Sequence, residues 1–92
     1  MSHPQTYTVT FSPAARRRLD KLPLAAAVAL YEHLIGPVAE NPHRLGKPLE
    51  SPFDDVWSTR RGEYRALYTL DDEQRTVTVV AVAHRRDAYR PR

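Results

Sequence analysis

The sequence has 92 residues, no cysteine and only three glycines. The absence of cysteine excludes disulfide bonds and thiolate metal ligands, and three scattered glycines cannot build a glycine-rich phosphate loop. No apolar run approaches the roughly 18 residues of a membrane-spanning helix, so we expect no membrane partner. The N-terminal residues show neither a basic start nor an apolar stretch, which predicts a cytoplasmic protein without a secretory signal.

Lysine is scarce as well. Twelve of the 14 basic residues are arginine, the two lysines are Lys21 and Lys47, and the net charge is +3. Arginine suits bidentate contact with phosphate and stacking on bases, so this composition allows nucleic-acid binding. A genome rich in G and C also favours arginine and alanine, and composition alone therefore leaves the partner open.

The histidines form no recognisable metal site. The four of them lack the i, i+4 pairing and the nearby carboxylates typical of zinc ligands: His3, His33, His43 and His84. The patterns of nucleophile elbows and catalytic dyads are missing too. We therefore expect neither a metal nor an organic cofactor.

The first 40 residues predict a strand followed by two helices. Alternating apolar residues indicate a half-buried strand over residues 7–11. Ser12 and Pro13 are typical of a helix start and open a helix over about residues 14–21. Pro23 opens a longer helix over residues 24–40, which Gly36 and Pro37 should kink. The positions expected to face the core are Ala15, Leu19, Leu22, Ala27, Leu30, Tyr31, Leu34 and Val38.

A proline-containing loop over residues 41–55 separates the helices from three further strands. These strands are predicted over residues 56–60, 63–70 and 76–83, and the last is rich in the β-branched residues of interior strands. The fold class is therefore α+β, with a single domain over residues 1–92. A helical hairpin should pack on one face of a mainly antiparallel four-stranded sheet in the order β-α-α-β-β-β, with a short C-terminal turn or helix.

The face of the sheet opposite the helices is the expected site of function, and Arg65 should project from its middle. Alternation places Tyr64, Ala66, Tyr68 and Leu70 on the helix side and Arg65, Leu67 and Thr69 on the open side. A charged residue in the middle of a strand is costly unless it is exposed or paired. An ion pair of Arg65 with Asp87 or Glu50 is the alternative to a functional role.

Two further groups of cations flank this strand. Arg60 and Arg61 precede the turn at Gly62, and only one of them should share a face with Arg65, because adjacent strand residues point to opposite sides. In the C-terminal segment, Arg85 and Tyr89 lie four residues apart and would share one face of a helical turn. Solvated turn charges and a disordered basic tail are the alternatives.

Three motifs resemble the RelE branch of the RelE/ParE toxin superfamily, and with the strand-helix-helix opening they cover nearly the whole chain. The motifs are Asn41-Pro-His-Arg-Leu-Gly-Lys-Pro-Leu49, Trp57-Ser-Thr-Arg-Arg-Gly-Glu-Tyr-Arg-Ala-Leu-Tyr68 and Ala83-His-Arg-Arg-Asp-Ala-Tyr-Arg90. The resemblance implies the toxin of a type II toxin–antitoxin pair, a metal-independent endoribonuclease that cuts mRNA in the ribosomal A site. The implied partners are a cognate antitoxin, the ribosome and mRNA, with operator DNA reached only through the antitoxin.

The resemblance also assigns roles to residues. Arg65 matches the arginine that stabilises the scissile phosphate, Arg85 matches one that contacts phosphate or protonates the leaving group, and Tyr89 matches a tyrosine that stacks on or orients the mRNA base. Arg61 completes the implied catalytic set. The implied RNA-contact residues are Arg60, Arg86, Lys47, Arg44 and His84.

The strand over residues 56–60 departs from the family pattern, because well-studied RelE toxins carry two lysines there, one of them a candidate general base. Arg60 and Arg61 can replace their charge, but arginine is a poor base, which leaves His84 as a possible proton acceptor. Two other functions stay open: a ParE-like inhibitor of DNA gyrase, and a degenerate toxin that only binds its antitoxin.

Overall fold

The computed structural model describes residues 6–49 and 55–87. Its helices are α1 (Pro13–Asp20), α2 (Leu24–His33), which continues into a π-helical turn (Leu34–Val38), and α3 (Pro42–Leu45). Its strands are β1 (Thr8–Phe11), β2 (Lys47–Pro48), β3 (Val56–Arg61), β4 (Tyr64–Asp71) and β5 (Thr76–His84), and a 3-10 turn follows (Arg85–Asp87). No helix among these residues is long and apolar enough to cross a membrane.

The strands form one sheet in the order β1-β5-β4-β3-β2. β1 runs parallel to β5, and every other pair is antiparallel. The α+β class is confirmed, but the sheet has five strands and not four. The additional strand is β2, which lies in the segment interpreted as a loop and pairs Lys47 with Ser58 and Pro48 with Trp57. Two residues are too few to show alternation, and proline is compatible with an edge strand because its missing N–H is not needed there.

The helix starts agree with the predictions. The Ser12 side chain accepts a hydrogen bond from the Ala15 backbone N–H (3.1 Å), and Ala15 and Leu19 are buried on the inner side of α1. The kink expected at Gly36 and Pro37 takes the form of the π-helical turn, which accommodates a proline inside a helix.

Tyr31 is the exception to the predicted core stripe. Leu30, Leu34 and Val38 are fully buried, whereas the Tyr31 side chain is exposed and stacks on Phe11 at the rim, with ring centroids 6.0 Å apart. The buried stripe is therefore narrower than predicted.

A β-bulge at Val80 interrupts the alternation in β5. Leu67 pairs with Ala81 and Tyr68 with Val79, so Val80 is left without a partner in β4. The backbone N–H of Ser12 donates to the Val79 carbonyl (2.8 Å) beside this bulge. The extra residue allows Val79 and Val82, three positions apart, to be buried in the same core.

Candidate active site

The open face of the sheet carries a basic groove at its β2–β3–β4 end. Strand pairing places Lys47 beside Ser58 and Arg60 beside Arg65. We call the groove that these four side chains line, with a volume of about 510 Å³, the arginine groove. Its remaining lining is apolar or neutral and comes from Leu45, Pro48, Leu49 and Thr59. Because none of these described lining residues is acidic, the groove attracts anions.

Arg65 lies on the open face, as its position in the strand predicted. Its Nη1 donates a long hydrogen bond to Ser58 Oγ (3.4 Å), and its Nε is buried without a hydrogen-bond partner among the described residues. A buried donor without a partner costs about 1–3 kcal/mol. A phosphate oxygen that accepted a hydrogen bond from this Nε would remove that cost. Glu50 and the Asp87 side chain, the acids considered as partners, lie outside what the structure describes.

Arg60 lies on the same face of the sheet as Arg65, and Arg61 does not. Arg60 and Arg65 are direct cross-strand neighbours, an arrangement that is unfavourable for two like charges unless an anion lies between or beside them. Arg61 pairs with Tyr64 and faces the helix side of β3. Alternation along the strand could not by itself decide which of the two arginines faces the groove, because the answer depends on where the turn begins.

Arg61 instead lies near His33 of α2. Burial lowers the pKa of His33, and the positive charge of Arg61 lowers it further. The His33 Nε2 lies 2.9 Å from Thr59 Oγ1, and Thr59 Oγ1 donates to the Leu45 carbonyl (3.0 Å). Since the threonine proton goes to Leu45, the histidine Nε2 is the donor to Thr59. Sequence patterns gave no sign of this chain of hydrogen bonds.

The residues after β5 are held by Glu63 of the β3–β4 turn. Arg85 Nε forms an ion pair with Glu63 Oε1 (3.1 Å), and the Arg85 backbone N–H donates to the Glu63 carbonyl (2.6 Å). Both side chains are exposed. Arg86 is exposed as well, and Tyr89, the tyrosine implied by the resemblance, lies outside the described residues. Glu63 was not singled out from the sequence, because one exposed acid in a turn carries no pattern.

His84 does not share the face of Arg65. It pairs with Tyr64, whereas Arg65 pairs with Ala83. The Arg86 backbone N–H donates to His84 Nδ1 (3.0 Å), so the neutral ring carries its proton on Nε2, which lies 3.8 Å from Glu63 Oε1. With Nδ1 engaged as an acceptor, no ring nitrogen is free to take a proton from a substrate in the arginine groove.

Arg44 is exposed on α3 and is not part of the groove lining. Its neighbour His43 belongs to a separate cluster with Tyr7 and Asp72. Tyr7 Oη donates to Asp72 Oδ1 (2.5 Å), and His43 Nε2 lies 3.2 Å from the same carboxylate. The Tyr7 hydrogen bond lowers the pKa of Asp72, and the same bond raises the pKa of Tyr7.

The described residues contain no group of three histidine, aspartate or glutamate side chains arranged as metal ligands. The groups that the structure brings together for chemistry are thus the cations of the arginine groove. Their geometry suits an anion with several oxygen acceptors, such as a phosphodiester.

Comparison with known proteins agrees with this fold. The sequence matches the family of ParE toxins of type II toxin–antitoxin systems over residues 9–89. The chain belongs to this toxin family. It is 41% identical to the RelE toxin of Mycobacterium tuberculosis over 90 residues, covering 98% of this chain and 93% of the relative. It is 46% identical to the RelG toxin of the same organism over 84 residues, covering 91% and 97% of the two chains.

Solved structures place it in the RelE branch of the family. A RelBE toxin–antitoxin complex from Mycobacterium tuberculosis contains a chain with a TM-score of 0.85 and 42% identity, covering 95% of this chain and 100% of that one. The isolated E. coli RelE toxin gives a TM-score of 0.72 and 26% identity, with 92% and 87% covered. The protein is therefore a RelE-type toxin of a type II toxin–antitoxin system, as the sequence motifs predicted.

Proposed function

We propose that this toxin is an endoribonuclease that cuts mRNA in the ribosomal A site and thereby stops translation in the cytoplasm. The observation that carries the proposal is the arginine groove, in which the buried Nε of Arg65 has no hydrogen-bond partner among the described residues and lies in the same groove as Arg60 and Lys47. A cognate antitoxin would hold the toxin inactive and link it to operator DNA. The relatives solved as toxin–antitoxin complexes support an antitoxin partner.

The proposed reaction is an internal transfer within the RNA. The 2′-hydroxyl attacks the adjacent phosphorus, the new O2′–P bond forms, and the P–O5′ bond breaks. One proton leaves the 2′-hydroxyl and another is delivered to the departing 5′ oxygen, so the products are a 2′,3′-cyclic phosphate and a 5′-hydroxyl. The extra negative charge on the phosphate would be stabilised by Arg65 and Arg60, since preorganised donors act most strongly where charge develops.

Lys47 is the proton donor that we propose for the departing 5′ oxygen, and water takes the proton of the 2′-hydroxyl. Of the cations in the described groove, it is the one able to exchange a proton, because a guanidinium keeps its proton throughout the physiological range. Lys47 lies on β2 beside Ser58, which puts an amine next to the strand where related toxins carry their lysines. Arg85 would reach the phosphate or the leaving oxygen by exchanging its Glu63 partner, and Tyr89 would orient the base.

Replacing Arg65 by alanine tests the proposal. We expect Arg65→Ala to reduce cleavage about 100-fold or more, because a transition-state donor is removed, and to abolish growth arrest on expression without antitoxin. Arg17→Ala, which removes an exposed arginine of α1, is the matched control and should remain toxic. Mapping of RNA 5′ ends after induction should show cuts phased with codons.

The other outcomes decide between the remaining functions. DNA damage with intact mRNA would support the gyrase inhibitor and overturn the proposal. No growth defect from the wild-type chain, despite soluble expression and antitoxin binding, would identify a degenerate toxin. Full toxicity of Arg65→Ala would show that the groove is not the active site.

Lys47→Arg tests the proton donor separately from the positive charge. The variant keeps a cation in the groove but does not release a proton at neutral pH. We expect kcat to fall at least about 100-fold, within the range seen for lost general acid–base catalysis, while affinity for non-cleavable RNA stays within about threefold. Unchanged kcat in Lys47→Arg would assign the proton donor elsewhere without contradicting the role of Arg65.

A further inference from the structure

Lys47 reaches the arginine groove on a short segment that we call the strap, residues 42–48, which comprises α3, Gly46 and β2. β2 is only two residues long and has β3 as its single neighbour in the sheet. Such a short edge strand has little pairing to fix it. Beyond this pairing and the hydrogen bond from the Leu49 N–H to the Val56 carbonyl (2.8 Å), the position of Lys47 depends on the contacts beneath the strap.

Tyr68 of β4 provides the first anchor. Its side chain is fully buried, and its hydroxyl donates to the Pro42 carbonyl at 2.7 Å in a buried hydrogen bond. Burial raises the pKa of Tyr68 to about 12, so the hydroxyl keeps its proton and remains a donor at physiological pH. A buried hydrogen bond of this kind fixes one geometry, because a strap that moved away would leave a carbonyl and a hydroxyl unpaired.

Thr59 of β3 provides the second anchor, three residues further along the strap. It is almost fully buried, and its hydroxyl donates to the Leu45 carbonyl at 3.0 Å while accepting from His33 Nε2 at 2.9 Å. Two buried hydroxyls on neighbouring strands thus hold two carbonyls of the strap. In the sequence, Gly46 and then Lys47 directly follow the carbonyl held by the second anchor.

Gly46 lets the strap come down onto the Tyr68 hydroxyl. A Cβ atom at position 46 would lie 2.0 Å from the Tyr68 oxygen and 2.9 Å from its Cζ atom, distances that real side chains do not adopt. Tyr68 is enclosed by the core and cannot swing away. The strap therefore packs directly against the Tyr68 hydroxyl without a gap. A change at this hydroxyl would shift the backbone at Gly46, one residue before Lys47.

We propose that Tyr68 is a positioning residue, whose hydroxyl fixes the strap so that Lys47 meets the phosphate held by Arg65. This inference rests on the proposed function, since it concerns the phosphodiester bound in the arginine groove. Tyr68 itself touches no substrate, because it lies on the helix side of the sheet and Arg65 on the open side. Its effect passes through the backbone of residues 42–47.

A double-mutant cycle between Tyr68→Phe and Lys47→Ala tests the inference. The probe is a 2′-O-methyl RNA trinucleotide, which lacks the attacking hydroxyl, and its Kd is measured by NMR titration for the four proteins. We expect Lys47→Ala to weaken binding about fivefold to tenfold, as for one charge-assisted contact, and Tyr68→Phe to weaken it about fivefold, as for one net hydrogen bond. In the double variant the loss should equal that of Lys47→Ala alone.

Two controls separate positioning from general stability. Tyr31→Phe removes an exposed tyrosine hydroxyl on α2 and should leave the Kd unchanged in both backgrounds. Should Tyr68→Phe fail to fold, Thr59→Val removes the other anchor, and Thr59→Ser, which keeps the hydroxyl, should restore binding. Additive losses in the cycle, or equal binding by Thr59→Val and Thr59→Ser, would overturn the inference alone. Absence of binding by the folded wild type would overturn the proposed function and this inference with it.

Discussion

The side chain that best explains the site at the scale of single residues is Arg65. Its buried Nε lacks a partner in the described structure, and the like charge of Arg60 is its cross-strand neighbour. Both features oppose folding, and neither is needed by the core. Binding sites often retain such unfavourable arrangements because the ligand relieves them.

Arg65→Met is therefore expected to stabilise the folded protein while it abolishes cleavage. The substitution keeps an unbranched apolar stem and removes both the unpaired donor and the repulsion, so the free energy of unfolding should rise by about 1 kcal/mol. Urea unfolding of the two proteins measures the difference. Arg17→Met, on the exposed face of α1, should change stability by less than about 0.5 kcal/mol. A less stable Arg65→Met would mean that Arg65 is structural.

Gly46→Ala should have the opposite effect on stability. The new methyl group would overlap the Tyr68 hydroxyl, and overpacking of this kind costs about 1–3 kcal/mol. Gly36→Ala is the matched control, because a Cβ at position 36 meets no atom within 4 Å. Thermal unfolding of both variants gives the comparison, and equal melting temperatures would show that the strap is not seated on Tyr68.

At the scale of elements, the contact between α2 and β3 is polar and responds to pH. His33 on α2 bonds to Thr59 on β3, and burial, followed by the charge of Arg61, lowers the pKa of His33 below its usual value. The unfolded chain binds a proton at this histidine near pH 6.5, and the folded protein does so only at lower pH. The contribution of His33 to stability is therefore complete above about pH 6.5 and is lost as the pH falls below it.

His33→Gln should remove this part of the pH dependence. Glutamine keeps an N–H donor for Thr59 and does not titrate, so the stability difference between wild type and variant should shift in favour of the variant as the pH falls from 7.5 to 5. Urea unfolding at several pH values measures that difference. A difference that does not vary with pH would show that folding does not lower the pKa of His33.

At the scale of the whole molecule, the net charge is only +3. The proposed function therefore depends on where the positive side chains lie and less on their total number. Three cations line the arginine groove, and no described lining residue opposes them. The helix side, by contrast, mixes both signs around Arg16, Asp20 and Glu32. The arginine groove is therefore a positive surface, and the affinity for RNA should increase with the number of phosphates in contact with it.

The salt dependence of RNA affinity should report that number. With up to three phosphates neutralised, log Kd for a short single-stranded RNA should rise with log salt concentration with a slope of about 2. Lys47→Ala should lower the slope by about 0.7, whereas Lys21→Ala, which removes the only other lysine, should leave it unchanged. A slope near zero would contradict binding through the groove.

The sequence by itself determined the longer helices and strands and the face on which Arg65 lies, but not α3 and β2, which fall in the segment interpreted as a loop. Capping at Ser12, the apolar spacing in α1 and the alternation in β4 are local patterns with fixed periods, so they predict which side of an element faces the core. The motifs around Gly46, Arg65 and Arg85 likewise predicted the toxin family. Tyr31 is an exception. How wide the buried face of its helix is depends on the elements packed against that helix, and the helix sequence alone does not show this.

Only the tertiary structure decided which cations lie together. In the structure, Lys47 lies beside Ser58, and Arg60 rather than Arg61 is the neighbour of Arg65. Arg85 forms an ion pair with Glu63, and His84 lies on the other face of the sheet. Each of these depends on strand register, on a bulge or on the strap resting on Tyr68, and so on contacts between residues far apart in sequence. Periodicity along one strand carries no information about its neighbour's register, which is why the elements could be predicted and the groove could not.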